Sequence, residues 1–489
     1  MPGVSMNKKS IKKNYMYNLT YQLLTLFAPL VTTPYISRVL GADGVGLNSY
    51  TYSVVAYFVL VAVLGTTDYG QREIAYRQDE PEERSRMFWE VFSLRAITSI
   101  FSLVLFLQLT GASEHRTLYL LQSVNILCVM ADVTWFFQGM EDFGKTVMRN
   151  IMVRILNIVF IFGFVKTSAD LPLYIASIGI STLAGHVLLW KSLPEYLCRI
   201  SIHSIHPFHN LKPVLQLFLP QIAIQVSAVM DKTMLGWMIH SDFENGYYEQ
   251  ADRIEKICLT IVSSLGVVMI PRISYVIAKK QKELLNYYIY RAYRFIWFLA
   301  LPMTFGLICV ADQFVPWFFG AGYEKSVVLI RIFSVLLCVV GVSSVTGMQY
   351  FIPAGKQNQF TLSVVLGMIV NFILNVLLIQ NWMSVGAAIA TVTGELTVTV
   401  SQLIMARHEF SIWAILGQAK NSLIAAIGMS LILVSVKPYA GMTIQGTALL
   451  VLVGGIIYAG ILLILRDSMI KELLQAVWGR WKGNRNEQH

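Results

Sequence analysis

Residues Tyr247 to Lys256 read Tyr-Tyr-Glu-Gln-Ala-Asp-Arg-Ile-Glu-Lys, and helical spacing sets Glu249, Asp252, Arg253, Lys256 and Thr260 along one side. Upstream, Gln221, Gln225 and Lys232 form a comparable stripe with Asp231 beside it. Lys232 and Arg253 each fall roughly 10 Å inside their apolar segments at 1.5 Å per residue. Cations at that depth suit a multiply charged anion such as a pyrophosphate, bound by charge-assisted hydrogen bonds and the fork of an arginine. The alternative is that they neutralise Asp231, Asp252 and Glu255. Glu395, in Thr391-Val-Thr-Gly-Glu-Leu-Thr397, has no cation close in sequence. With Asp231 it is the candidate for coupling to a proton or sodium gradient; a protonated acid bonded to a neighbouring helix is the alternative.

Amides add a second kind of chemistry. Asn14, Asn18, Gln22 and Thr25 line one stripe, and Asn371 and Asn375 stand one turn apart. Asn18, Gln22 and Asn375 are candidates for binding sugar hydroxyls, though bonding between helices explains them equally well. Tyr50, Tyr52, Tyr57 and Trp135 offer faces for sugars, against the alternative of packing and interfacial anchoring. Asp132, Arg154 and Arg95 fall at similar depths and read as a structural ion pair. His203, His206 and His209 recur every third residue, but Pro207 interrupts them and no acid or cysteine completes a metal set. Five scattered cysteines without a C-x-x-C predict neither disulfide nor cluster. No Walker A run occurs, so no nucleotide and no cofactor is expected.

The elements that position these residues are membrane helices. Hydrophobic residues make up 55% of the chain and charged ones 13%, with a mean hydropathy of +0.59, a composition that cannot cover a water-facing surface of 489 residues. About fourteen apolar stretches of spanning length fill it. An all-α integral membrane protein follows, because an open sheet would leave backbone groups unsatisfied in hydrocarbon. The net charge of +10 marks topology, not nucleic acid. Lysines and arginines concentrate on the side of the N-terminus, and Arg38, Arg116, Lys166, Lys325 and Lys437 are the few on the other, which places both termini in the cytoplasm. Lys8, Lys9, Lys12 and Lys13 lead into a full-length span with no cleavage pattern, so that span is expected to stay.

A weak internal repeat pairs Pro29 with Pro220, and Gly46-Leu-Asn-Ser-Tyr50 with Gly246-Tyr-Tyr-Glu-Gln250. It predicts two pseudo-symmetric six-helix lobes, 1–192 and 212–406, joined by a cytoplasmic linker at 193–211 that carries Pro194 and Pro207. Spans thirteen and fourteen occupy 407–465. In the tail, 466–489, the spacing of Ile470, Leu473, Leu474, Val477 and Trp478 reads as a short interfacial helix, with a solvated tail as the alternative.

Several runs carry a family resemblance. Thr33-Pro-Tyr-Ile-Ser-Arg-Val-Leu-Gly-Ala42, Asp68-Tyr-Gly-Gln-Arg-Glu-Ile-Ala75 and Trp135-Phe-Phe-Gln-Gly-Met-Glu141 stand in the first lobe. Asp231-Lys-Thr-Met-Leu-Gly236, Ala251-Asp-Arg-Ile254, Pro271-Arg-Ile-Ser274, Asn371-Phe-Ile-Leu-Asn375 and Gly386-Ala-Ala-Ile-Ala390 stand in the second. Together, over residues 10 to 406, they resemble the polysaccharide-transporter branch of the multidrug/oligosaccharidyl-lipid/polysaccharide exporter superfamily. The resemblance implies a flippase in the bacterial inner membrane. It would carry undecaprenyl-pyrophosphate-linked oligosaccharide repeat units of O-antigen or capsule to the outer leaflet by alternating access. The lipid-linked oligosaccharide and the bilayer are then the partners, with other glycan-assembly membrane proteins as candidates. Arg253 is the position carried over, since Ala251-Asp-Arg-Ile254 is similar to the Ala-Asp-Arg-Leu run of lipid II flippases. The first span departs from theirs, with Thr, Asn and Gln where cavity arginines would stand, which favours a polymer glycan over lipid II.

The rival readings are a cation-coupled multidrug exporter of the same superfamily and a lipid-linked sugar transferase or polymerase. The first would prefer acids and aromatics over Arg253, Lys256 and Lys232. The second would need catalytic groups on a substantial external loop, and the loops are short. A transporter rather than an enzyme is expected.

Overall fold

The computed structural model describes the backbone of residues 11–472 and Gln475, and whole residues from Phe27 onward except 202, 219, 220, 265, 267 and 268. Asn18, Gln22 and most of the interfacial run in the tail lie outside the residues so described. Every regular element among the described residues is helical. Ten helices are long and apolar enough to cross a membrane, and two bent pairs raise the number to twelve. Two of the ten are 50-residue helices, Phe27–Tyr76 and Gln357–Ala406. Each is interrupted by a non-helical residue, Gly41 (φ 70°, ψ 176°) and Met383 (φ 52°, ψ −129°). Split there, the helices supply the fourteen apolar legs that the sequence leads one to expect.

The contacts divide the chain into two compact units. The first runs to Gly236 and includes Ser241–Gly246; the second holds Trp237–His240 and everything from Tyr247 onward.

In the first unit α1 (Ile11–Val63) leads through Gly65 in the left-handed region (φ 78°) to α2 (Thr66–Tyr76). α3 (Pro81–Thr110) starts with proline, whose missing N–H is harmless there, and with Glu82 and Glu83 in its first turn. The fourth stretch is broken into α4 (Arg116–Gln122), α5 (Val124–Ala131) and α6 (Thr134–Gly139); α7 (Phe143–Phe164) and α8 (Leu171–Trp190) follow. Most of α9 (Leu211–Ile239) belongs here, bent by 47° between Phe218 and Gln221, where Pro220 removes a backbone donor.

Two sequence runs that lie more than 60 residues apart turn out to be halves of one interface. A Cβ on Gly70 would stand 2.5 Å from Trp135 Cε3, and one on Gly139 would stand 2.7 Å from the Gln71 carbonyl. Gln78 donates to the Gly139 carbonyl at 2.7 Å. Trp135 is fully buried in an aromatic cluster, its ring 5.6 Å from that of Phe88 and 6.3 Å from that of Phe136. It therefore packs the core and offers no face to a sugar. The repeat glycines also meet, since a Cβ on Gly46 would lie 1.7 Å from the Asp242 carbonyl and one on Gly246 would lie 1.9 Å from that of Ala42.

The 193–211 segment is fastened to the first unit. Tyr196 donates to Asp142 at 2.6 Å, and burial, reinforced by that bond, pushes its phenol pKa up. Asn210 donates to Glu90 at 2.7 Å and accepts from Tyr69 at 2.8 Å.

The second unit contains most of α10 (Asp242–Ala278), bent by 45° ahead of Pro271, then α11 (Lys282–Phe318), α12 (Glu324–Ser334) and α13 (Leu336–Ser344). A π-helical turn at Val345–Phe351 precedes α14 (Gln357–Ala406). The two legs of α14 fold back on each other through small residues: a Cβ on Gly367 would stand 2.8 Å from the Gly394 carbonyl, and Gln402 donates to Ser363 at 3.1 Å. α15 (Ile412–Gly417), α16 (Lys420–Val436) and α17 (Ile444–Ile464) complete the unit. The last two pack on α11, where Tyr458 donates to the Phe298 carbonyl at 2.8 Å.

Gly70→Ala is expected to destabilise the first unit by about 1–3 kcal/mol, because the Trp135 ring has nowhere to retreat. Gly163→Ala, with nothing within 4 Å of the new carbon, is expected to stay within about 0.5 kcal/mol of the parent. Thermal unfolding of the two purified variants in detergent compares them directly.

Candidate functional site

Among the described residues, one cluster of ionisable groups in each unit bears on function. In the first, Arg95 is 1% exposed, and a guanidinium held there must have its donors satisfied and its charge balanced. It donates from Nε to Thr66 Oγ1 at 3.0 Å, from Nη2 to Thr67 Oγ1 at 2.5 Å, and from Nη1 to the Asp132 carbonyl at 2.8 Å. The Asp132 carboxylate lies 3.4 Å from the same nitrogen. Asp132 sits where α5 ends in extended backbone (ψ 115°), which frees its side chain to accept from the Thr134 amide at 2.9 Å and from the Thr134 hydroxyl. His186 Nδ1 stands 3.1 Å from Asp132 Oδ1, and Arg149 donates to Thr134 Oγ1 at 2.9 Å.

Arg95 and Asp132, expected as partners, are thus brought together, and Arg154 is not with them. Its place is taken by His186 and by Arg149 acting through Thr134. Arg154 instead lines a cavity between α1, α7 and α8. The reason is the break at Asp132, which turns the carboxylate towards α3 and α8. His186, unmentioned by any spacing argument, had one available signal: it is a lone histidine within an apolar stretch.

In the second unit, Arg253 donates to Glu249 at 3.0 Å and Lys256 to Asp252 at 2.8 Å, both one turn back along α10. Glu255, on the same helix, is 5% exposed. Glu395 of α14 is near enough to Glu255 for the two carboxylates to repel. That proximity makes Glu255 a member of the site which spacing had read only as a counter-charge.

Asn375 is fully buried and donates to Asn371 Oδ1 at 3.2 Å. A Cβ on Gly394 would lie 2.8 Å from that of Asn371. Asn371 thus packs against the other leg of α14, and Asn375, expected on a sugar, is buried beside it. Asp231 is 5% exposed and Lys232 half-buried on the α9 part of the first unit, and the next residue, Thr233, donates to Ser53 Oγ at 2.8 Å.

An all-helical, multi-pass membrane protein with its ionisable groups clustered inside the spans has the architecture of a membrane transporter. The family model described as polysaccharide biosynthesis protein matches residues 11–277, more than half of the chain, and the chain belongs to that family. It is 21% identical over 410 residues to a candidate O-antigen transporter of Escherichia coli (strain K12), covering 82% of this chain and 98% of that protein. Its fold is similar to that of the lipid II flippase MurJ in an inward closed conformation, with a TM-score of 0.73 at 18% identity over 93% of this chain and 99% of that one. An inward-facing multidrug resistance MATE transporter of the MOP superfamily is less similar, with a TM-score of 0.56 at 15% identity over 81% and 99% of the two chains.

Asp132→Asn is expected to cost about 3–5 kcal/mol, since it leaves the Arg95 charge buried without compensation. Adding Arg95→Met should restore part of the loss. A double-mutant cycle of melting temperatures reads the coupling; additive losses would show that the pair does not act as a unit.

Proposed function

We propose that this chain is a flippase that carries undecaprenyl-pyrophosphate-linked oligosaccharide repeat units, of O-antigen, capsule or a related surface glycan, to the outer leaflet of the bacterial inner membrane by alternating access. The observation that carries the reading is the likeness along 98% of the length of a candidate O-antigen transporter, joined to membership of a polysaccharide biosynthesis family. On this reading the protein transports without catalysing, both termini are cytoplasmic, and other glycan-assembly membrane proteins hand over or receive the substrate. Arg253 and Lys256 leave Glu249 and Asp252 to hold the diphosphate; Lys232, in the first unit, is a separate candidate cation. Exchange of a carboxylate for a diphosphate keeps each cation paired throughout, which a dehydrated path demands. Glu395, with Glu255, carries the coupling proton, and Asp231 is a second candidate.

One observation favours a second reading, a cation-coupled multidrug exporter. Glu249, Asp252, Glu255 and Glu395 outnumber Arg253 and Lys256 in the second unit's cluster, and an acidic surplus suits a cationic cargo.

Transbilayer movement of fluorescent undecaprenyl-pyrophosphate oligosaccharide in liposomes containing the purified protein separates the two. The flippase reading expects movement that falls roughly tenfold or more in Arg253→Ala, the loss of a charge-assisted contact, and a response to an imposed proton gradient that disappears in Glu395→Gln. Absence of movement, together with gradient-driven export of a lipophilic cation, would establish the exporter in its place.

A further inference from the structure

The cavity between α1, α7 and α8 takes no part in the function proposed above. It encloses ≈ 330 Å³, and its polar lining comes from Arg149, Arg154, Asn150, Asn157, Ser181 and Thr182. With Thr32 and Tyr174, which also line it, two guanidiniums, two amides and four hydroxyls make an unusual wall for a space among membrane helices, where each polar group is costly unless something answers it.

Arg154 is the telling residue. It lies half-way along the 22 residues of α7, roughly 17 Å from its start at 1.5 Å per residue, too deep to reach an interface by extending its side chain without effort. Asp132 is linked to this wall through Thr134 and Arg149, and Arg95 and His186 already converge on it. Among the described residues, no hydrogen bond or ion pair engages Arg154. Arg149 is held from the other side, because a Cβ on Gly185 of α8 would stand 2.9 Å from its Cδ. Asn157 is set by Ser177 and Ser181, 3.4 Å from each. The wall is therefore positioned by its neighbours, while its central cation lacks a counter-charge.

We propose that this cavity is an anion site that takes the phosphate group of a membrane lipid, with Arg154 as its principal cation and Arg149 beside it. The amides and hydroxyls bond to hydroxyl groups attached near that phosphate. Two lipids present this chemistry. One is the pyrophosphate-linked carrier of the flippase reading, on which that half of the proposal rests; the other is a bilayer phospholipid such as phosphatidylglycerol. A guanidinium fork meets phosphate oxygens two at a time, so charge alone does not reproduce the site.

The test is binding of undecaprenyl pyrophosphate and, separately, of phosphatidylglycerol to the full-length purified protein, followed by native mass spectrometry. Arg154→Gln is expected to weaken one of the two roughly tenfold, as removal of a charge-assisted contact does, and Arg154→Lys to lie between it and the parent. Thr182→Phe fills the cavity without altering charge and is expected to weaken the same lipid, which guards against a folding defect in Arg154→Gln. The lipid that loses affinity identifies the source. Parent and variants binding both lipids equally would overturn the site and leave the flippase reading standing. Failure of the parent to bind undecaprenyl pyrophosphate, with Arg154-dependent binding of phosphatidylglycerol, would do the reverse. A parent that binds neither lipid would overturn both.

Discussion

A guanidinium with almost no access to solvent, Arg95, organises the first unit. Hydrocarbon offers no water to satisfy its donors, so they have to be met by protein, and four hydrogen-bond contacts reach it from the loop-proximal end of α2 and from the α5–α6 junction. Each partner is held by something else. Thr66 follows the left-handed Gly65, and Asp132 depends on a break between α5 and α6 that a continuous helix would remove. The cost of burying one charge is thereby distributed over three helices, and the aromatic cluster around Trp135 closes over the result. Trp135 Nε1 donates to the same Asp132 carbonyl that Arg95 uses, at 3.1 Å, so apolar packing and charge satisfaction converge on one backbone group.

The second unit meets the same constraint differently. Along α10 Arg253 and Lys256 pair with Glu249 and Asp252 one turn back on the same helix, while Asp312 of α11 takes Arg331 of α12 at 3.6 Å and Lys437 at 2.6 Å. Gln402 reaches Ser363 across the α14 hairpin, where glycines let the two legs approach and Gly394 packs against Asn371. A charge network spread across helices resists change, whereas pairs along one helix exchange partners readily.

Much of this was legible in the residues, for identifiable reasons. Hydropathy reads spans because backbone satisfaction in lipid admits few other structures, and spacing found the Glu249, Asp252, Arg253 and Lys256 side of α10 because those contacts are local. Contacts between helices are not encoded by spacing. His186 was invisible as a partner of Asp132, and Arg154 was matched to Asp132 by depth when the break at residue 132 sends the carboxylate elsewhere. The runs around Gly70 and Trp135 stood out as motifs without showing that they touch. Asn375 failed as a sugar ligand for a related reason: whether a polar stripe faces a cavity or another helix depends on the partner leg of α14, which the stripe itself does not contain.

The distribution of charge between the units bears on how an anion and a proton could use one protein. In the first unit Arg95 reaches Asp132 directly and Arg149 through Thr134, while Arg154 lines the cavity beside Arg149; in the second, Arg253 and Lys256 pair with Glu249 and Asp252, and Glu255 lies on the same helix. On the anion-site reading, the guanidiniums of that cavity would hold phosphate at any pH a cell experiences, because they do not titrate there. On the flippase reading, a proton taken up by Glu255 removes negative charge from the same helix that offers Arg253 and Lys256 to a diphosphate. Taking a proton would therefore make α10 a better anion site and losing it a worse one. On the flippase reading, this couples uptake and release of the headgroup to the proton without any direct contact between them, since each changes the charge that the other must meet in a poorly solvated place.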